Sequence, residues 1–224
     1  MIFSDAIVVF GASSEIANSF ITSCINSKIN LILISRKEIK GFELSLKVDD
    51  YIEEYDSIYN LLSNYSNLTL VFFNGALFEN RPVQFPSEEQ IKLTKEANFS
   101  TPYFLCKNLN NDLENINKFV FISSMAAVRN RSKNYIYGNY KRKLEENIKK
   151  LDLENYLIIR FGKVITKMSE GHKNPPFTMT ANDASKSILK NLNKEGLIYG
   201  NKGLLIVAMF LKLVPNFVLK KIKI

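Results

Sequence analysis

Cysteine is nearly missing from this sequence: Cys24 and Cys106 are the only two, each in an apolar or helical setting. A disulfide-stapled scaffold is therefore excluded, and both residues are expected as reduced, buried thiols. Histidine is scarcer still. With His172 alone and no cysteine cluster, neither a structural nor a catalytic zinc site has its ligands, so no metal is expected. Long apolar runs are missing as well. The opening MIFSDAIVVFGASS has no basic leader, and its apolar run is too short for a secretory core or a membrane span, so the cytoplasm is the expected compartment. No internal repeat, linker or nucleic-acid-binding motif is present.

What is there is the profile of a folded chain. Hydrophobic residues make up 46% and charged residues 23% of 224 positions, enough to bury a core as one domain over residues 1–224. The net charge of +8 invites a nucleic-acid or anionic-membrane partner. Along most of the chain, however, basic residues interleave with 22 acidic ones, as on solvated helices, and no nucleic acid is expected. Only the terminal LKKIKI leaves positive charge unopposed.

Five short runs, AIVVF, LILIS, LTLVFF, FVFIS and YLIIR, alternate with helical patterns. Being almost wholly apolar, they read as strands buried on both faces of a parallel sheet. Helix starts are marked by SEEQ from Ser87 to Gln90 and by TAND from Thr180 to Asp183, both of capping-box form. The alternation predicts an α/β fold of three layers, a Rossmann-like doubly wound parallel sheet with right-handed crossovers. In such folds the ligand sits beyond the carboxyl ends of the strands, so functional residues should follow strands.

Three segments meet that expectation. VVFGASSEIANSF runs from a strand through Gly11 into a helix, whose first amides can hold a pyrophosphate, with hydroxyls from Ser13 and Ser14. Glu15 and Ala17 stand where a dinucleotide loop carries further glycines, so this segment alone reads equally as a plain strand-to-helix turn. LILISRKEIK ends its strand in Ser35, Arg36 and Lys37. A basic residue there suits the extra phosphate of NADP, as an acidic one suits NAD; a basic surface loop is the alternative. In NYIYGNYKRKLEEN, Tyr137 and Lys141 are four apart and share a helix face, whereas Tyr135 has Asn139 and Tyr140 has Leu144 at that spacing. Ser124 lies thirteen positions before Tyr137.

A serine at a strand end, then this tyrosine and lysine, after an N-terminal glycine turn, resembles the short-chain dehydrogenase/reductase superfamily over almost the whole chain. Within it, SSMAAVRNRSKNYIYGNYK, FGKVITKM, PPFTMT and VPNFVLKKIKI resemble the subgroup that includes decaprenylphosphoryl erythropentofuranosidulose reductase, which reduces a keto sugar carried on a polyprenyl phosphate. The resemblance implies NADP as cofactor, with NADPH preferred over NADH. Its ligands would be Gly11, Ser13, Ser14 and Ile16 of the turn, Arg36, Asn74 and Gly75 on the adenosine side, Tyr137 and Lys141, and Gly162 and Val164 near the nicotinamide. Tyr137 would be the general acid, Lys141 its activator, Ser124 the hydroxyl that orients the carbonyl, and Asn98 the support of a water relay to the lysine. For Asn98 a helix-disrupting or capping amide is the alternative. The family also implies a homodimer or homotetramer through the helices around Asn98 and Tyr137. Two departures stand out: Phe161 replaces a proline before Gly162, and Glu15 either loosens the diphosphate approach or points to solvent.

The chemistry suits these residue types. A phenol ordinarily titrates near pH 10, and a lysine ammonium on its helix face should favour the phenolate. Tyr137 can then give a proton to a carbonyl oxygen while Ser124 bonds the developing charge. Tyr135 and Tyr140 are expected in packing or at an interface, since Tyr137, Tyr140, Leu144, Ile148 and Leu151 form one stripe. His172 is expected in an exposed loop. The implied function is NADPH-dependent reduction of a keto sugar, linked to a polyprenyl phosphate or a nucleotide, in surface polysaccharide biosynthesis. Reduction of another small carbonyl substrate and a non-catalytic NADP-sensing role are the alternatives. A sugar epimerase or dehydratase of the longer branch would need a large C-terminal substrate domain that this chain lacks. The apolar, basic segment 203–224 is too interrupted to cross a bilayer and is expected either on the inner face of an anionic plasma membrane or packed on the protein.

Overall fold

A computed structural model describes residues 5–79, 85–129, 132–171 and 173–214; His172 and the terminal lysines Lys220, Lys221 and Lys223 lie outside them. The elements follow one another as β1 (Ala6–Phe10), α1 (Glu15–Asn26), β2 (Leu31–Ser35), β3 (Ser45–Lys47), α2 (Tyr55–Leu62), β4 (Leu68–Phe72) and α3 (Glu88–Lys95). A π-helical turn, Glu96–Ser100, leads into α4 (Thr101–Asp112). Then come β5 (Ile116–Ser124), α5 (Tyr135–Ile148), β6 (Tyr156–Phe161), β7 (Val164–Ile165), β8 (Met179–Thr180), α6 (Ala181–Asn191), β9 (Gly196–Tyr199) and α7 (Lys202–Leu213).

Seven strands form one parallel sheet in the order β3-β2-β1-β4-β5-β6-β9, and β7 pairs with β8 outside it. The order reverses direction between β1 and β4, which opens a crevice at their carboxyl ends. Strand side chains alternate between two cores. Val8, Phe10, Ile32, Ile34, Leu70, Phe72 and Phe121 pack with α2, α4 and α5, while Ile7, Val9, Leu33, Val71, Val120 and Ile159 pack with α1 and α6. This is the three-layer, doubly wound arrangement expected from the apolar runs.

On the first face, Phe10, Phe72 and Phe121 are register partners across β1, β4 and β5. Their rings stack at centroid separations of 4.7 and 4.9 Å and lie within 9° of parallel. The ladder sets the carboxyl ends of the three central strands level, and Gly11, Asn74 and Ser124 follow from those ends. Both expected capping boxes are present: Ser87 and Gln90 exchange bonds at the start of α3, as do Thr180 and Asp183 at the start of α6. Strands β3 (SLK) and β9 (GLIY) are too short to read as buried strands in the sequence, and both lie at the sheet edges, at most half-buried.

Candidate active site

The turn after β1 is built around Gly11, whose φ of +72° is left-handed. A Cβ there would sit 3.0 Å from the Asn74 amide nitrogen and 3.2 Å from the Phe73 carbonyl carbon, so the turn and the β4 end approach only through glycine. Beneath the turn lies Tyr51, buried, which accepts from the Gly11 N–H at 3.2 Å and donates to the Ile34 carbonyl at 3.3 Å. Burial pushes its phenol up, and bonds to Gly11 and Asn74 and the charge of Arg36 pull it back. Arg36 and Lys37 are exposed at the β2 end, at the same corner. Ser14 caps α1 by accepting from the Ala17 N–H at 3.1 Å, Ser13 is exposed, and the Ile16 side chain packs on the core, leaving its backbone facing the turn.

Glu15 does not point to solvent. Its Oε2 accepts from the Lys167 N–H at 2.7 Å, so the side chain that replaces a glycine ties the start of α1 to the segment after β7. Phe161, the other departure, is buried with its ring against Gly200, which has no side chain to obstruct it.

Four side chains converge beyond β4 and β5. Ser124 ends β5, with its hydroxyl close enough to the Tyr137 phenol of α5 to favour the phenolate. Lys141, 4% exposed, directs its ammonium to the carbonyls of Asn74 at 3.1 Å and Ile122 at 3.0 Å. Asn98 is fully buried in the π-helical turn, where its Nδ2 donates to Ala76 O at 2.7 Å and Thr94 O at 2.8 Å. Its Oδ1 has no partner among the described residues. A Cβ on Gly75 would lie 3.4 Å from that Oδ1 and 3.8 Å from the Lys141 Nζ, so Gly75 borders the gap between them. The widened helical turn thus presents an unmatched acceptor toward the lysine, a place suited to a water.

The electrostatics correct one expectation. Burial raises the Tyr137 phenol, and the group pulling it back is the Ser124 hydroxyl rather than Lys141. The lysine has turned its ammonium to two neutral carbonyls. Its own pKa is pushed down to about 8 by burial, against the opposing charge of Glu145.

Two positioning features carried no signal that the sequence reading used. Gly138, next to Tyr137, brings α5 so close to the turn Met125–Ala127 that a Cβ would meet the Ala126 carbonyl oxygen at 2.6 Å. Glu79 is buried and accepts from the Ile136 and Tyr137 N–H groups at 2.8 and 3.3 Å, capping the helix that carries the tyrosine. An isolated glycine inside a helical pattern is the one hint for the first. Elsewhere, Val164 is buried, and Gly162 lies beside Leu204 of α7. Tyr135 is exposed, Tyr140 half-buried, and Leu144 and Ile148 reach the core. Both cysteines are buried thiols, as expected. No His, Cys, Asp and Glu grouping fit for a metal occurs among the described residues.

No protein-family model matches the sequence, and no curated protein does. Solved structures match over nearly the full length. A short-chain dehydrogenase from Burkholderia cenocepacia J2315 in complex with NADP superposes with a TM-score of 0.76 at 13% identity, covering 100% of both chains. A short-chain dehydrogenase from Streptomyces avermitilis gives 0.73 at 16% identity, covering 94% of this chain and 93% of its own. A 4-hydroxyisoleucine dehydrogenase complexed with NADH gives 0.63 at 16% identity, covering 88% and 97%. The chain has the fold of the short-chain dehydrogenases/reductases.

Proposed function

We propose that this chain, as one nucleotide-binding domain over residues 1–224, is an NADPH-dependent reductase of a keto sugar. The observation that carries the reading is the meeting of Ser124, Tyr137, Lys141 and Asn98 beside the Gly11 turn, at the carboxyl ends of β1, β4 and β5. The residues fit a dinucleotide. The left-handed Gly11, the first amides of α1 and the exposed Arg36 would hold the phosphates, and Asn74, Gly75, Gly162 and Val164 would border the rest of the dinucleotide. When bound, the nicotinamide supplies the hydride. Ser124 orients the carbonyl and bonds its oxygen as charge grows there. Tyr137 gives that oxygen its proton. Lys141 resupplies the proton, and Asn98 holds the water through which it is replaced.

Consumption of NADPH with a panel of keto sugars tests this reading; binding without turnover on any carbonyl substrate would make the chain an NADP sensor instead. Arg36→Asp should weaken NADPH roughly tenfold or more, about 1.4 kcal/mol or beyond, while NADH binding holds. An equal loss of both cofactors in fluorescence titrations would remove Arg36 from the phosphate site.

The setting we propose is surface polysaccharide biosynthesis in the cytoplasm, on a sugar linked to a polyprenyl phosphate or a nucleotide. A peripheral contact with anionic membrane is supported by α7. Leu205, Ile206, Met209, Phe210 and Leu213 form one stripe and are 45 to 82% exposed, and the sequence from Gly196 onward has lysines but no acidic residue. No described helix is long and apolar enough to cross a membrane. Ile206→Ser with Phe210→Ser should abolish salt-sensitive sedimentation with phosphatidylserine vesicles and spare NADPH binding. An intact chain that stays in the supernatant at low salt would favour a nucleotide-linked sugar. A homodimer or homotetramer is proposed through α4 and α5, where Phe99 stacks on Tyr103 and Lys143 covers Phe99; light scattering reads it directly.

A further inference from the structure

Behind Lys141, polar side chains from four elements form a chain that is buried except at Tyr199, which is half-buried. Glu145, one helical turn after Lys141, is 2% exposed, and Arg160, near the end of β6, is 7% exposed. Arg160 Nε donates to Glu145 Oε1 at 2.9 Å, and its NH2 donates to Oε2, so the guanidinium grips the carboxylate through both oxygens. Ser123 Oγ of β5 donates to Oε1 at 2.6 Å, and Arg160 NH1 donates to the Tyr199 hydroxyl of β9 at 3.2 Å.

Stability is a weak reason for such a pair. Taking both charges out of water costs about what their attraction returns, and apolar residues of similar volume would serve as well. Its place is more telling. Ser123 adjoins Ser124, Arg160 adjoins Phe161, and Glu145 repeats the helical position of Lys141. Among the described residues the Lys141 ammonium has neutral acceptors, the Asn74 and Ile122 carbonyls. Around it stand Tyr137 and Glu145 on its own helix, the neutral amides of Asn74 and Asn98, Glu79 at the helix start, and Arg160 and Tyr199 beyond Glu145.

We propose that the Glu145–Arg160 pair is a positioning element of the candidate active site, which holds α5 to the ends of β5 and β6 and sets the net charge behind the Lys141 ammonium. The proposal rests on the reading of Lys141 as part of that site, and both residues act through the lysine. Burial drives the lysine toward its neutral form, and Glu145 opposes that. Arg160, bonded to both carboxylate oxygens, offsets part of the Glu145 field. Without Glu145, Arg160 becomes an unpaired cation that drives the proton off Lys141 at lower pH. Without Arg160, the bare carboxylate keeps the proton on to higher pH. Reduction needs the protonated lysine, so its alkaline limit follows the same sign.

The test is a pH titration of the full chain carrying 13Cε-lysine, read by NMR, with the Lys141 resonance assigned by its loss in Lys141→Arg. The unsubstituted chain should titrate near pH 8 at this position. Glu145→Gln should lower that midpoint and Arg160→Gln raise it, each by about one pH unit. Lost packing does not move a midpoint in opposite directions, so two unmoved midpoints, or two moved the same way, overturn the proposal. Should either variant fail to fold, the Glu145 carboxyl carbon in the unsubstituted protein must record the Lys141 step; a flat trace there overturns it equally. None of these readouts needs turnover, so the reductase reading can fail separately, on the substrate panel alone.

Discussion

Tyr137→Phe lowers reductive turnover by a factor on the order of a hundred to ten thousand, the range that a positioned general acid contributes, while NADPH binds nearly as before. The substitution removes one oxygen and keeps the ring. Its structural cost is at most one polar contact, with Ser124, on the order of 1 kcal/mol, so the fold survives. Tyr140→Phe is the control, since it removes the same oxygen from a half-buried tyrosine of the same helix that lies outside the Ser124, Tyr137, Lys141 and Asn98 group. Steady-state kinetics on both variants, with cofactor binding measured by NADPH fluorescence, check the expectation. Undiminished turnover in Tyr137→Phe would remove the phenol from the chemistry.

Gly138→Ala sets two effects against each other. Alanine favours a helix interior over glycine by about 1 kcal/mol, which by itself would stabilise α5. The new Cβ, however, would lie 2.6 Å from the Ala126 carbonyl oxygen and 3.2 Å from its carbon, and these are backbone atoms that cannot rotate aside. Overpacking of this kind costs about 1–3 kcal/mol, so stability falls modestly or hardly at all. Activity suffers more. Relieving the clash moves α5 away from the turn that follows Ser124, and a displacement approaching 1 Å at the reacting groups costs about a hundredfold. The expected result is a near-normal melting temperature with kcat/KM down by two orders of magnitude. Wild-type turnover would show that the close approach at Ala126 does not position Tyr137.

The contrast between these two residues marks what the sequence discloses. Tyr137 and Lys141 declare themselves because their relation is local, four residues along one helix, and the strand runs are legible because both sheet faces are buried. Gly138 acquires its meaning only against Ala126, twelve positions earlier, once β5 and α5 have packed. Arg160 reads as the end of the apolar run YLIIR, and Glu145 as one acid of a charged helix; that they meet depends on β6 lying next to β5. Tyr51 is hidden for the same reason, since its hydroxyl spans from the end of β2 to the Gly11 turn forty residues away in sequence. Glu15 was misjudged through its reach: a position judged by the glycine it lacked turned out to hold a contact with Lys167.

The stacked rings of Phe10, Phe72 and Phe121 bear on how such a site can diversify. Three flat rings packed near-parallel resist sliding of one strand past its neighbour, because any slip would break two stacks and open voids in a dense core. The Gly11 turn and the Ser124 end of β5 therefore behave as one plate of constant geometry. On the reductase reading, a change of substrate shape would be absorbed by the stretch that carries the exposed Met168 and Phe177, whose Phe177 ring packs on Gly203 of α7.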